Sequence, residues 1–137
     1  MSASIQSSRS RQLRPIGVIR SRLKSRKNAP RQGFEGAPDA WLEVHPWALE
    51  GLHRLQTGDE IIVITWFHQA RRNVLQVIPR SDPRNPMTGV FATRSPDRPN
   101  PLGLHTVVVR AIKGNRLRVG PIEAIDGTPV VDIKPVL

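Results

Sequence analysis

Short apolar runs separated by turn residues dominate this chain, and no run keeps the three-to-four-residue spacing of a long amphipathic helix. Eight stretches read as strands: Arg14–Arg20, Trp41–Val44, Glu60–Phe67, Val74–Ile78, Gly89–Ala92, His105–Lys113, Arg116–Val119 and Val130–Ile133. Glu60–Phe67 is the most β-branched, and its unbroken apolar character predicts burial on both faces. Arg14–Arg20 has a mixed pattern that suits an edge strand. Lys113-Gly114-Asn115-Arg116 predicts a tight hairpin loop in which glycine supplies positive φ. The one helix expected is short, Pro46–Arg54, with Pro46 in its first turn and Trp47, Leu49 and Leu52 as a partial apolar face. Together these elements predict an all-β fold: a single small closed or nearly closed barrel with short helical insertions over residues 15–137, after a basic N-terminal tail at 1–14.

Composition narrows the classes. With 137 residues the chain fits one domain, and 38% hydrophobic content supports a modest core. Its net charge of +10, from 21 Lys+Arg against 11 Asp+Glu, points to a polyanionic partner, phosphate backbones foremost. The plainer reading is that the charges only solvate the surface. The absence of cysteine removes disulfides, zinc–thiolate sites and thiol chemistry, and fits a reducing cytoplasm. No apolar stretch approaches the ~20 residues that span a bilayer, so no membrane partner is expected. Met1–Arg14 is rich in Ser and Arg, lacks acids and has no apolar signal-peptide core, and it reads as a flexible basic tail.

Five segments hold the unusual residues. Pro30-Arg31-Gln32-Gly33 follows the basic run Arg22–Lys27, and an arginine beside an amide can grip a carboxylate or phosphate, though a polar turn looks the same. Trp66-Phe67-His68-Gln69 ends the most apolar strand, so His68 is a candidate proton acceptor or simply a rim residue. His45, His53 and His105 have no metal-ligand spacing with it or each other, and no metal is expected. In Gly89–Leu104, three prolines and two arginines crowd Arg94–Pro101, so cations sit on a stiff loop that loses little entropy when it grips a ligand. Its Leu102-Gly103-Leu104 end lets backbone approach a flat ligand ring closely. Ile125-Asp126-Gly127-Thr128-Pro129 is a turn in its own right, and Asp126 or its backbone can also meet a cation or an adenine amine. In Asp132-Ile133-Lys134-Pro135 an acid interrupts an apolar strand, either paired with an arginine or set for a ligand. No Gly-rich nucleotide signature and no nucleophile-elbow pattern is present.

The stretches Ile16-Gly-Val-Ile-Arg-Ser21, Pro30-Arg-Gln32, Phe67-His-Gln69, Gly89-Val-Phe-Ala-Thr-Arg-Ser95 with Arg98-Pro-Asn-Pro101, and Asp126-Gly-Thr-Pro-Val-Val-Asp-Ile-Lys-Pro135 carry a resemblance from about Pro15 to Leu137. The chain resembles the TsaA-like family, which includes the TrmO-type tRNA N6-threonylcarbamoyladenosine methyltransferases. The resemblance implies an all-β barrel, a homodimer, and S-adenosylmethionine bound by loops at one barrel edge. By position it assigns cofactor contacts to Pro30, Arg31, Gln32, His68, Gln69, Arg94, Leu104, Asp126, Gly127, Thr128 and Pro129. Longer members carry a second small domain after the barrel. This sequence runs to Leu137, with Val136 where the family usually has tyrosine.

The function expected on that basis is methyl transfer from S-adenosylmethionine to N6 of a modified adenosine in a tRNA anticodon loop, where unstacked bases are accessible. Arg31 and Arg94 are candidates for the cofactor carboxylate or RNA phosphate, and His68 for proton removal. Arg22, Lys24, Arg26 and Lys27, with Arg71, Arg72 and Arg98, are expected to bind RNA around the pocket mouth. Two other classes stay open: a non-catalytic S-adenosylmethionine-binding regulatory module, and a plain RNA-binding barrel. Three Trp, three Phe and no Tyr leave few stacking platforms for the last.

Overall fold

The computed structural model describes residues 11–137, so the first ten residues of the expected tail lie outside the described range. Eight strands form: β1 (Gly17–Arg20), β2 (Ala40–Val44), β3 (Glu60–Trp66), β4 (Gln76–Val77), β5 (Thr88–Gly89), β6 (Leu102–Lys113), β7 (Arg116–Gly120) and β8 (Pro129–Pro135). Six close in the order β1-β2-β7-β6-β3-β8 into an antiparallel barrel, and β4 with β5 makes a separate two-stranded ribbon. The architecture is the all-β barrel with short helical insertions that the punctuated pattern predicts.

Alternation drives closure. Ile19, Leu42, Val44, Ile61, Val63, Val107, Val109, Leu117, Val119 and Val130 point inward and are essentially fully buried. Each such side chain contributes about 1.5–3 kcal/mol on removal from water. β1 pairs with β2 and with β8, so it is an interior strand of the barrel and not the expected edge. Gly17 makes that closure possible, because a Cβ there would lie 2.3 Å from the Glu43 carbonyl oxygen. β3 is likewise not buried on both faces: Ile61, Val63 and Thr65 face the core, while Ile62, Ile64 and Trp66 are half-buried on the outer wall.

Other elements are shorter than their patterns. Pro46–Leu52 is a 3-10 helix rather than an α-helix, and Trp47 and Leu49 are exposed. Its packing face is Ala48 and Leu52, continued by Leu55 after the helix, set against the core. Arg14 stacks on Trp47, its guanidinium 3.6 Å from a ring centroid. Gly89–Ala92 forms a strand only at its start, since Val90–Ala92 turns into a 3-10 helix that buries Val90. The β6–β7 hairpin forms as expected, with Lys113 opposite Arg116 and Gly114 at φ 61°. Two loop residues with positive φ at the first suit the right-handed strand twist.

Candidate functional site

One open cleft of about 1310 Å³ lies at the barrel rim. Its walls are the segment after β1, the end of β3, the β4–β5 ribbon, the stiff loop before β6 and the connection from β7 to β8. Pro30, Arg31 and Gln32 line it, as do His68, Gln69, Arg94 and Thr128. The structure thus brings together seven of the residues singled out in sequence, from four separate loops. Arg31 is braced by a 3.1 Å hydrogen bond from Nη2 to Ser81 Oγ. Apolar wall comes from Val74, Val77, Ile78, Ala124 and Ile125.

Asp97 ties these loops into one body. It is 9% exposed and accepts a hydrogen bond from the Arg71 N–H at 2.8 Å, with Arg26 Nη2 at 3.2 Å and Arg71 Nη2 at 3.5 Å. Burial pushes its carboxyl upward, but the Arg71 N–H, the Arg26 hydrogen bond and both cationic charges outweigh that and hold it below the usual range. Arg26 Nη1 also reaches the Gln69 carbonyl at 3.2 Å. Residues 26, 69, 71 and 97 are therefore mutually fixed.

Several expected site residues do other work. Arg98, expected to grip phosphate, donates to the carbonyls of Val90, Thr93 and Ser95 at 3.0–3.1 Å and so knots the loop from inside. Arg72 donates to the Pro99 carbonyl at 2.8 Å and lies over Trp66. Asp126 accepts the Ser21 N–H at 2.9 Å and pairs with Lys24 at 3.3 Å; that backbone bond, with Lys24, holds its carboxyl below the usual range against burial. Its carboxylate is committed to the segment after β1, and Gly127 and Pro129 stay outside the cleft lining with it. Leu104 also lies outside the cleft, 49% exposed on the outer wall opposite Ile64. Gly103 does not face a ligand ring, since a Cβ there would lie 2.5 Å from the Phe67 ring and 2.6 Å from Thr65 Oγ1. Asp132 is half-exposed beside Lys134, away from the cleft.

Sequence reasoning missed a buried chain that ends at the cleft. Thr65 Oγ1 lies 2.7 Å from His105 Nε2, and His105 Nδ1 is hydrogen-bonded to Glu123 Oε1. Thr65 and His105 are 0% and 3% exposed, and Phe67 packs edge-on against the imidazole at 5.7 Å. Glu123 lines the cleft. The available signal was an acid between Ile122 and Ala124, which resembles the Asp132 pattern in an equally apolar stretch. Among the described residues no three His, Cys, Asp or Glu side chains gather as a metal set, and no helix is long and apolar enough to cross a membrane.

A closed six-stranded barrel with a polar, cation-rich cleft built from rim loops defines a small ligand-binding β-barrel of the kind that holds a cofactor between its loops. Residues 18–137 match the model of the tRNA-methyltransferase O N-terminal domain, and the chain belongs to that family. It is 43% identical over 123 residues to a probable S-adenosyl-L-methionine-binding protein of Methanothermobacter thermautotrophicus, covering 90% of this chain and 88% of that one. It is 41% identical to an S-adenosyl-L-methionine-binding protein of Archaeoglobus fulgidus, covering 89% and 86%. The crystal structure of TrmO from Pseudomonas aeruginosa superimposes with a TM-score of 0.72 at 35% identity over 93% of this chain. The chain spans 56% of that longer protein.

Proposed function

We propose that this chain binds S-adenosylmethionine in the rim cleft and transfers its methyl group to N6 of a threonylcarbamoylated adenosine in a tRNA anticodon loop. The observation that carries the reading is the convergence of Arg31, Arg94, Gln32, Gln69 and Thr128 on one cleft in a member of this family. The donor set fits the cofactor: guanidinium groups suit its carboxylate, side-chain amides its adenine and ribose, and aliphatic walls its thioether chain. Asp126, Gly127 and Pro129 act through the turn that carries Thr128 rather than by lining the cleft.

The bound cofactor supplies an activated methyl group, so the protein mainly has to position groups. Arg31 and Arg94 hold the carboxylate end. His68 is exposed at the cleft with no hydrogen-bond partner among the described residues, and its imidazole takes up the proton that the amine nitrogen releases. At about 1310 Å³ the cleft exceeds the ~300–1,000 Å³ of a single-ligand pocket, which leaves room for an extruded base beside the cofactor. Lys27, Arg31 and Arg94 have no acidic partner among the described residues; with Arg31 and Arg94 on the cofactor carboxylate, Lys27 is left to present charge to the RNA. Work on tRNA would put the protein in the cytoplasm.

The reading includes a homodimer. Leu102 and Leu104 are 42% and 49% exposed beside half-buried Ile64 and Trp66, an apolar stripe on the outer wall of β3 and β6. Leu104 reaches a cofactor only if a second copy seats this wall near the cleft. The decisive assay is methyl incorporation from labelled S-adenosylmethionine into total tRNA from a strain lacking the modification. Incorporation at N6 of threonylcarbamoyladenosine supports the proposal. Cofactor binding without incorporation would favour the regulatory module, and RNA binding without cofactor binding the plain RNA-binding barrel.

A further inference from the structure

At neutral pH S-adenosylmethionine carries one carboxylate against an ammonium and a sulfonium, so it is a net cation. The cleft proposed to receive it is itself cationic, lined by Arg26, Lys27, Arg31, Arg71, Arg80 and Arg94 in a chain of net charge +10. Arginines answer only the carboxylate end. A cation moving into such a cleft is favoured by an anion there, and among the described residues two carboxylates line it, Asp97 and Glu123. Asp97 is already bound by Arg26 and Arg71. Arg80 pairs with Glu35 and Arg31 with Ser81, so neither neutralises Glu123.

We propose that Glu123, held in place by the buried Thr65–His105 pair, is the residue that takes the cofactor's positive charge. The proposal rests on the reading of the cleft as the S-adenosylmethionine site. The hydrogen bonds dictate which oxygen is available. A carboxylate only accepts, so His105 Nδ1 carries a proton and donates to Oε1, while Nε2 shares its hydrogen bond with the Thr65 hydroxyl. Oε2 has no hydrogen-bond partner among the described residues and faces the segment after β1: a Cβ on Gly33 would lie 3.3 Å from it. The Glu123 side chain is 13% exposed. A charge in so poorly hydrated a position interacts more strongly with a counter-charge than one in open water. Thr65 and His105 touch no ligand in this scheme. They are positioning residues that fix the carboxylate rotamer, and Gly103 leaves the space in which Thr65 and Phe67 flank the imidazole.

The test is calorimetric binding of S-adenosylmethionine and S-adenosylhomocysteine to the purified chain and to Glu123→Gln, Arg94→Ala and Thr65→Val, with thermal melts to verify folding. Glu123→Gln should weaken S-adenosylmethionine about ten- to hundredfold, the scale of one charge-assisted hydrogen bond. If S-adenosylhomocysteine is unaffected, the sulfonium is the charge recognised; if both weaken equally, it is the ammonium. Thr65→Val should give a smaller loss in the same direction. If Glu123→Gln does not fold, Glu123→Asp withdraws the charge by one methylene and should still weaken binding several-fold. Unchanged affinity in whichever Glu123 variant folds, with Arg94→Ala losing binding, overturns the proposal and leaves the cleft reading intact. Unchanged affinity in both that variant and Arg94→Ala overturns the cleft reading itself.

Discussion

Asp97 and Arg98 are neighbours that hold the same loop in two ways, and each gives a test at the scale of one residue. A carboxyl whose pKa is lowered on folding stabilises the protein above its unfolded value of ~4, and that contribution is lost as pH falls through the folded value. Asp97 is such a group: burial opposes its ionisation, but Arg71 and Arg26 win. Asp97→Ala should cost about 1.5–3 kcal/mol at pH 7, the range for hydrogen bonds to charged groups. Chemical denaturation across pH should show the gap to wild type closing well below pH ~4; a gap independent of pH would show that the charge is not what holds the loop. Arg98 donates to three carbonyls at fixed positions, and a planar fork is hard to replace. Arg98→Lys should therefore leave residues 90–98 exchanging amide hydrogens nearly as fast as Arg98→Ala does. The resemblance separates Arg94 from Arg98, but residue type and position do not, because both stand in the same proline-rich stretch. The difference is whether the guanidinium turns back onto its own loop.

At the scale of elements, the barrel could be read from period-two burial and turn punctuation, and its departures were local. β1 looked like an edge because Gly17 breaks its apolar alternation, yet that glycine is what admits the Glu43 carbonyl and lets β1 join both neighbours. Pro46–Leu52 is a 3-10 helix, and of the expected face Leu52 packs on the core, joined by Ala48, while Trp47 and Leu49 are exposed. The loops of the site were recognisable because stiff polar segments interrupted apolar strands. The Thr65–His105–Glu123 chain was not, since it joins residues 18 and 40 positions apart through the barrel interior. Gly103 belongs to that interior. Gly103→Ala would force a methyl against the Phe67 ring and Thr65 Oγ1, and overpacking of this kind costs about 1–3 kcal/mol. Thermal unfolding of Gly103→Ala at the wild-type midpoint would contradict this placement of Phe67.

At the scale of the whole molecule, the cations among the described residues differ in whether an acid neutralises them, and at the cleft Arg26, Arg71 and Arg80 pair with Asp97 or Glu35. On the barrel wall Arg20, Arg110, Arg116 and Arg118 pair with Glu43 or Asp39, whereas Lys27, Arg31 and Arg94 at the cleft lack acidic partners among the described residues. If RNA is the partner, log affinity should fall linearly with log salt, by roughly 0.7 per phosphate contact on a single strand. Replacing Lys27 by alanine should flatten that slope by about one contact while leaving cofactor affinity nearly unchanged. An affinity indifferent to salt would remove RNA from the account. Sedimentation should report a dimer that Leu104→Glu converts to monomer, because a charge on that apolar stripe cannot be buried unpaired. The central claim is that the rim cleft holds the cofactor, and a crystal structure of the chain grown with S-adenosylmethionine tests it most directly. The account predicts density between Arg31, Gln69, Arg94 and Thr128, with its cationic part beside Glu123. Cofactor density anywhere else on the barrel would contradict it.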